Sequence, residues 1–245
     1  MAERKPRILV FQHIACEHPG IFREFLTADG IAWDAVELDE GEPIPPLEGY
    51  DALWVMGGPM DVWQEDLHPW LVAEKAAIRE AVAERGMPFF GLCLGHQLLA
   101  DALGGEVGPA ATPEVGILEI ELTEAGRNSP LFAGLPARQR CLQWHSDEVT
   151  RVPEGAVVLA SSPDCAVQAM AVGPRAFSLQ YHVELSAETV PDWGEIPEYQ
   201  AALEAAMGAG ALPRLEAEAA AGMSGFNAAA RRLYENVMAT MRETV

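Results

Sequence analysis

The sequence predicts an α/β protein with a mostly parallel sheet and helices on both faces of that sheet. Residues 7–105 alternate short apolar segments with segments bounded by helix stop signals, which is the order of strand–helix units in a parallel sheet. Most of the apolar segments lack polar residues in their interior, as is typical of strands buried on both faces. A chain of 245 residues is long enough for one such domain with a substantial core.

Four strands and three helices are predicted in this first part. The apolar runs place strands at 7–12, 31–38, 51–60 and 87–93. Helices are predicted at 19–30, at 66–85 and from residue 94 to the glycine pair at 104–105. Gly30 and Gly86 are the stop signals of the first two helices, and Asp66 is the predicted N-cap of the second.

The pattern changes after residue 114. Short strands separated by turn-rich segments are predicted at 115–122, 138–145, 156–162, 165–172 and 176–182. We expect them to form hairpins that extend or flank the parallel sheet. After Glu188 the chain is rich in alanine and glutamate, which predicts helices up to the last residues. In "FNAAARRLYENVMATM" (226–241) the apolar residues recur at helical spacing, which indicates a packing face.

Charge and composition exclude several classes of protein. The net charge of −21 would repel a phosphate backbone, so no nucleic-acid partner is expected. No apolar run reaches the length of a membrane span. The first residues, "MAERKPRILVFQ", contain no long apolar region and no small-residue cleavage site, which predicts a cytoplasmic protein. Four dispersed cysteines without a Cys-x-x-Cys pair indicate reduced thiols and no structural zinc site.

The stretch "FFGLCLGHQLLA" places a cysteine between two glycines where a strand is followed directly by a helix. Gly91, Cys93 and Gly95 match the Gly-x-nucleophile-x-Gly pattern, in which the glycines avoid clashes around a strained turn. The start of a helix favours a thiolate, and the N–H of Leu94 is placed to stabilise an oxyanion. A buried structural cysteine at the end of a strand is the alternative.

A thiol nucleophile needs a base, and "QYHVE" offers one. His182 and Glu184 are two residues apart at the end of the last predicted strand, so they project to the same face and can hydrogen-bond. A surface His-x-Glu pair that occurs by chance is the alternative. Gly57 and Gly58 stand at the C-terminal end of the third predicted strand and are a candidate source of a second oxyanion donor, with an ordinary turn as the alternative.

The segments "GGP", "GLCLGHQLLA" and "QYHVE", in this order, resemble the class I glutamine amidotransferase family. The similarity is greatest to the stand-alone proteins related to the glutaminase domain of GMP synthetase, and it covers roughly residues 7–188. This resemblance implies a flavodoxin-like, doubly wound sheet. It also implies an amidotransferase-like domain at 1–188, with a helical extension at 189–245 packed on the same domain.

The resemblance assigns roles to nine residues. Cys93 would attack the γ-carboxamide of glutamine to form a γ-glutamyl thioester, His182 would be the base and then the acid, and Glu184 would be its partner. Gly58 and Leu94 would supply the oxyanion-hole amides. The substrate would be held by Gly57, Gln97, Ser146 and Asp147, although Ser146 and Asp147 would also fit a polar turn between strands.

Three functions remain open within this chemistry. Members of the family that make a product deliver ammonia to an acceptor domain, but the sequence contains no G-x-x-x-x-G-K-[ST] phosphate loop. One possible function is a glutaminase that acts alone. Another is a γ-glutamyl peptidase that cuts glutathione-like compounds. The third is a glutaminase subunit that needs a separate ammonia-accepting synthetase. We expect neither a metal nor an organic cofactor.

The stretch "QHIACEHPG" (12–20) has two possible roles, as a metal site or as a loop near the substrate. His13, Cys16 and His18 suggest a metal site, which we discount because no fourth ligand is near in sequence. The loop after the first strand would lie at the carboxyl edge of the sheet, where Glu17 is a candidate to meet a cationic group of the substrate. His96 is expected to be a packed helix residue.

Overall fold

The computed structural model describes residues 5–242, which form one mixed sheet covered by helices. The strands are β1 (Arg7–Gln12), β2 (Ala32–Glu37), β3 (Ala52–Val55), β4 (Phe89–Leu92), β5 (Glu106–Leu122), β6 (Arg138–Arg151), β7 (Ala156–Ser161), β8 (Ala169–Val172) and β9 (Ala176–Leu179). The helices are α1 (Phe22–Asp29), α2 (Trp70–Arg79), α3 (Leu94–Ala102), α4 (Glu124–Asn128), α5 (Thr189–Gly194), α6 (Pro197–Met207) and α7 (Leu212–Arg242).

The sheet has a parallel half and an antiparallel half. The strand order is β2-β1-β3-β4-β9-β8-β7-β5-β6. The first five strands are parallel to one another, and their order is that of a flavodoxin-like sheet with β9 as the fifth strand. The remaining pairings are antiparallel, so the predicted hairpins extend the sheet.

Helices cover the parallel half on both faces. Alternate residues of the central strands point to opposite faces, and each set is buried in its own apolar core. On one face, Val10, Trp54 and Phe90 belong to the same core as residues of α1 and α7. On the other face, Phe11 and Val55 belong to a core that contains residues of α2 and α3. The predicted α/β fold with helices on both faces is confirmed.

The C-terminal helices form a third core with the antiparallel half. Trp144 on β6, Trp193 on α5 and Tyr199 on α6 lie in one cluster of buried aromatic rings. The indole N–H of Trp144 donates to the carbonyl oxygen of Tyr199 at 3.1 Å, which ties α6 to the sheet. The division of the chain at residue 188 stays a prediction.

The second helix begins later than predicted. The cap predicted at Asp66 is wrong, since α2 starts at Trp70 and follows Pro69. Residues 61–68 form successive tight turns, and proline with its fixed φ is well suited to a helix start. At the other end, α2 continues as a π-helical turn (Glu80–Glu84) before Gly86, whose φ is 56°.

Several strand boundaries also differ from the prediction, and β3 already ends at Val55. β5 and β6 are longer than predicted, because each pairs with the other as far as Glu106 and Arg151. β9 stops at Leu179, and His182 beyond it forms an isolated bridge to Leu142 of β6. Across residues 5–242, every helix falls short of the length or the apolarity that a bilayer-spanning segment requires.

Candidate active site

Cys93 occupies a strained turn between β4 and α3. Its φ is 49°, and it is the one residue other than glycine with a positive φ among the described residues. Its N–H donates to the carbonyl oxygen of Leu179 at 2.8 Å, while its own carbonyl oxygen accepts from the N–H of His96 at 2.9 Å. A residue with a Cβ atom is held in this conformation only where the surrounding structure imposes it.

The glycines on either side of Cys93 are required by close backbone contacts. A Cβ atom on Gly95 would lie 2.1 Å from the carbonyl oxygen of Val55, at the end of β3. A Cβ atom on Gly91 would lie 2.6 Å from the carbonyl oxygen of Gly95. The predicted reason for the glycine pair is therefore observed, since α3 begins in direct contact with β3 and β4.

His182 and Glu184 form a buried pair beside Cys93. His182 Nδ1 lies 2.7 Å from Glu184 Oε1, and the other carboxylate oxygen of Glu184 accepts from the N–H of Val183 at 2.8 Å. Burial lowers the pKa of His182. The Glu184 carboxylate and the Cys93 sulfur raise this pKa by more than burial lowers it, and the sulfur also shares a hydrogen bond with the ring. The pKa of His182 is thereby raised well above its usual range. This environment favours an imidazolium next to the sulfur.

Two glutamines connect Cys93 to strand β6. The side-chain amide of Gln180 donates to Cys93 Sγ at 3.6 Å. The amide of Gln97 donates to Gln180 Oε1 at 3.2 Å and to the backbone carbonyl of Asp147 at 3.1 Å. Gln180 was missed by the sequence analysis, although it stands in the same "QYHVE" segment as His182.

A cavity of about 180 Å³ opens above Cys93. Its wall comes from the loop after β3, from the start of α3, from β6 and from α6, and its described lining residues are Gly58, Pro59, Met60, Asp61, Cys93, Gln97, Trp144, His145, Ser146, Asp147, Glu198, Tyr199 and Ala202. Gln97, Ser146 and Asp147 therefore meet at one cavity with Cys93 and Gly58. No lysine or arginine is among these lining residues.

The Gly57-Gly58 loop is held from behind by His13. His13 Nδ1 donates to the carbonyl oxygen of Gly57 at 2.7 Å, and Nε2 lies 2.8 Å from Glu74 Oε1. Burial lowers the pKa of His13, but Glu74 outweighs it, so that this pKa is raised. Gly58 lies between His13 and Leu94, because a Cβ atom on it would come within 3.0 Å of both side chains. Gly57 is not among the cavity-lining residues.

Ser146 and Asp147 lie within β6, not in a turn. β6 runs from Arg138 to Arg151, and its pairing with β5 shifts register between Pro109 and Glu114, opposite these residues. Burial and the neighbouring Asp61 carboxyl raise the pKa of Asp147 to about 6. The irregular pairing leaves this part of β6 facing the cavity.

Two groups of histidine, cysteine and carboxylate side chains come close enough to hold one metal ion among the described residues. They are Glu114, His145 and Cys165, and Glu17, His182 and Glu184. In each group the histidine already lies against a carboxylate, at 3.2 Å for His145 and Glu114 and at 2.7 Å for His182 and Glu184.

His96, next to Gln97 on α3, is buried and neutral. Nε2 lies 3.1 Å from the carbonyl oxygen of Val167, which can only accept, so Nδ1 accepts from the hydroxyl of Ser178 at 2.8 Å. Burial lowers the pKa of His96 to about 3. His96 is thus a packed helix residue, as predicted.

The pKa of His96 predicts a contribution to acid unfolding. In the unfolded chain His96 binds a proton below about pH 6.5, whereas in the folded chain it stays neutral, so this residue lowers the free energy of unfolding as pH falls below 6.5. At pH 5 we expect this contribution to reach about 2 kcal/mol. His96→Gln lacks it, so urea unfolding at pH 7.5 and pH 5 should show the variant losing less stability on acidification than the wild type. Equal losses would contradict a neutral His96.

The comparisons with known proteins agree with this geometry. The sequence profile of the family described as "Glutamine amidotransferase class-I" matches residues 26–190. A GMP synthase [glutamine-hydrolyzing] of Aeropyrum pernix is 39% identical over 166 residues, which are 68% of this chain and 28% of that protein. The glutamine amidotransferase-like protein YfeJ of Salmonella typhimurium is 34% identical over 191 residues, which are 75% of this chain and 78% of that protein.

Solved structures extend the similarity to nearly the whole chain. The crystal structure of a glutamine amidotransferase from Thermotoga maritima has a TM-score of 0.85 at 28% identity, and the match covers 96% of this chain and 99% of that one. A glutamine amidotransferase from Methylobacillus flagellatus has a TM-score of 0.83 at 27% identity, with 97% and 96% covered. With the strand order, the strained cysteine turn and the family profile in agreement, the chain belongs to the class I glutamine amidotransferase family.

Proposed function

We propose that this chain hydrolyses the γ-carboxamide of glutamine to glutamate and ammonia through a γ-glutamyl thioester on Cys93. The proposal rests on one observation. Cys93 combines a positive φ at the start of α3 with a direct contact to His182, which is itself paired with Glu184, and it lines a cavity. This combination of nucleophile, base and orienting carboxylate is the arrangement that acyl transfer requires.

In the first half of the reaction, His182 takes the proton of the Cys93 thiol. The raised pKa of His182 favours this transfer, and Glu184 holds the Nδ1–H so that Nε2 faces the sulfur. The thiolate attacks the amide carbon of glutamine, and the amides of Gly58 and Leu94 stabilise the oxyanion. When the C–N bond breaks, His182 returns the proton to the departing nitrogen, which leaves as ammonia.

In the second half, water replaces ammonia. His182 removes a proton from the water, whose oxygen attacks the thioester carbon, and the same oxyanion donors stabilise the second tetrahedral intermediate. The C–S bond breaks, Cys93 regains a proton from His182, and glutamate is released. Proton and bond changes therefore balance with water as the only other reactant.

The cavity suggests how the amino-acid end of glutamine is held. Gln97 uses its N–H groups on Asp147 and Gln180, so its oxygen is available to the substrate. We assign the α-ammonium group to the carboxylates at the cavity, above all Asp147, and the α-carboxylate to backbone amides of residues 145–147. Gly57 supports this site from behind through its carbonyl contact with His13.

A separate ammonia-accepting synthetase is the partner we propose. The relatives include a protein of Methanoculleus marisnigri that is named as one subunit of a GMP synthase [glutamine-hydrolyzing]. It is 39% identical over 114 residues, and this chain covers 60% of it. The chain spans only 28% of the length of the Aeropyrum pernix GMP synthase. The name of the Methanoculleus marisnigri protein supports delivery of ammonia from this chain to another polypeptide.

The test is turnover by the purified chain, with glutamine and glutathione assayed side by side and Cys93→Ala as the blank. We expect glutamate and ammonia to form from glutamine in equal amounts. A preference for glutathione would replace glutaminase with γ-glutamyl peptidase on the same thioester chemistry. No turnover, together with labelling of Cys93 by a glutamine-like electrophile, would support a glutaminase that waits for its partner. The absence of both turnover and labelling would contradict the proposal.

A further inference from the structure

A second carboxylate lies beside the catalytic pair, and the mechanism above does not use it. Glu17, in the loop after β1, is only 1% exposed. A carboxylate oxygen of Glu17 lies within 4.8 Å of both a ring nitrogen of His182 and a carboxylate oxygen of Glu184. Glu17 is not among the described residues that line the cavity, so it is not placed to meet a cationic group of the substrate.

The position of Glu17 is enforced from two sides. The hydroxyl of Tyr199 on α6 donates to Glu17 Oε1 at 2.5 Å. On the opposite side, the carboxylate packs against the backbone of Gly57, where a Cβ atom would lie 2.5 Å from Glu17 Oε2. The contact with Tyr199 joins residues 182 positions apart, so the loop after β1 and α6 are locked together beside the site.

The charge balance around Glu17 identifies its partner. A carboxylate removed from water requires a cation or strong hydrogen bonds. The titratable groups that face Glu17 are His13, Cys16, His182, Glu184 and Tyr199. His13 already contacts Glu74 at 2.8 Å, and Glu184 repels Glu17. His182 lies within 4.8 Å of Glu17 and favours its ionised form more than any other neighbour does, so its imidazolium is the cation that Glu17 chiefly stabilises.

We propose that Glu17 is a second positioning carboxylate of His182, which acts with Glu184 to hold the ring as an imidazolium and so supports the reactivity of Cys93. The inference rests on the proposed roles of Cys93 and His182. Burial raises the pKa of Glu17 to about 6, against the opposing effects of His182 and the Tyr199 hydroxyl. As pH falls through that value, Glu17 becomes neutral and its support of the imidazolium is lost.

The test is the rate of Cys93 alkylation by iodoacetamide between pH 5 and pH 8.5, followed by peptide mapping, because this readout needs no substrate. In Glu17→Gln the side chain is neutral at every pH, like protonated Glu17. We expect the variant to react about tenfold more slowly than the wild type at pH 8. The ratio of the wild-type rate to the Glu17→Gln rate should fall from about ten at pH 8 towards one at pH 5. Urea unfolding checks that the variant is folded.

The matched control is Glu114→Gln, which removes a buried carboxylate that lies 3.2 Å from His145. We expect its rate relative to the wild type to be independent of pH, since Glu114 does not act on Glu17 or on His182. A ratio for Glu17→Gln that stays constant from pH 5 to pH 8.5 would overturn the inference. The same pH dependence in Glu114→Gln would overturn it too.

Tyr199→Phe provides a second, milder variant. The hydroxyl of Tyr199 favours the ionised form of Glu17, so its removal should raise the pKa of that carboxyl. The pH at which Cys93 reactivity is half-lost should then move to a higher value than in the wild type. An unchanged midpoint would overturn the inference. Cys93 that is inert in the wild type would also overturn the inference, and together with a lack of glutamine turnover it would overturn the proposed function as well.

Discussion

Cys93→Ala is expected to lower the rate of glutamine hydrolysis by about 10⁴-fold or more, because no other thiol is among the described residues that line the cavity. Cys93→Ser should be similarly inactive, since its hydroxyl is a weaker nucleophile for a base that is tuned to a thiol. The fold should survive, because the Cys93 side chain is small and the turn is held by backbone bonds to Leu179 and His96. The measurement is kcat/KM for glutamine, with thermal unfolding of each variant recorded in parallel.

The control for this prediction is a buried cysteine away from the cavity. Cys141 on β6 is 4% exposed. Its sulfur makes two long contacts, donating to the carbonyl oxygen of Leu118 at 3.8 Å and accepting from the side-chain amide of Gln143 at 3.9 Å. Cys141→Ala should lose some stability and keep its activity below its unfolding temperature. A folded Cys93→Ala protein that turns over glutamine at the wild-type rate would exclude Cys93 as the nucleophile.

Gly95→Ala is expected to cost both stability and activity. The new Cβ atom would lie 2.1 Å from the carbonyl oxygen of Val55, which belongs to the backbone and cannot rotate away. The start of α3 must therefore move from β3, at a cost of about 3 kcal/mol in the free energy of unfolding. Since α3 carries Cys93 and Leu94 at its start, a shift of about 1 Å should lower kcat/KM by about 100-fold.

Gly225→Ala is the matched control for that substitution. Gly225 lies inside α7, and nothing is within 4 Å of the Cβ position. Alanine there should stabilise the helix by about 1 kcal/mol and leave kcat/KM unchanged. Urea unfolding and steady-state kinetics of the two variants together separate the contact at Gly95 from the general effect of adding a methyl group. A Gly95→Ala protein as stable and active as the wild type would show that the contact is not required.

The elements predicted most accurately are those whose apolar pattern is local. β1 has its predicted bounds, and β2 and β4 differ from theirs by one or two residues. β1 and β4 are buried on both faces, so their apolar runs are continuous and easily recognised in the sequence. Helix starts were less predictable, as Asp66 illustrates, because a turn that precedes a helix competes with a cap for the same backbone groups.

The residues of the candidate site also differ in how far the sequence alone could identify them. Cys93, His182 and Glu184 stand in short motifs with a physical reason for their spacing, so the sequence sufficed to single them out. Glu17 stands out in "QHIACEHPG" as a candidate substrate contact, and the structure instead buries it beside His182. The contacts of Tyr199 and Glu74 could not be predicted from the neighbouring sequence, since their partners are 182 and 61 positions away.

The class of fold, the family and the tight turn at Cys93 could be predicted from the amino-acid sequence, because each depends on residues that are adjacent or regularly spaced. The three-dimensional structure was needed to show which buried polar groups meet, namely Glu17 with Tyr199 and His182, and His13 with Glu74. A buried charge is stabilised by whichever partner the packing of distant elements brings within a few ångströms, so residues far apart in sequence decide its partner. Here β1, β9 and α6 converge on one point, and no pattern along the chain encodes that convergence.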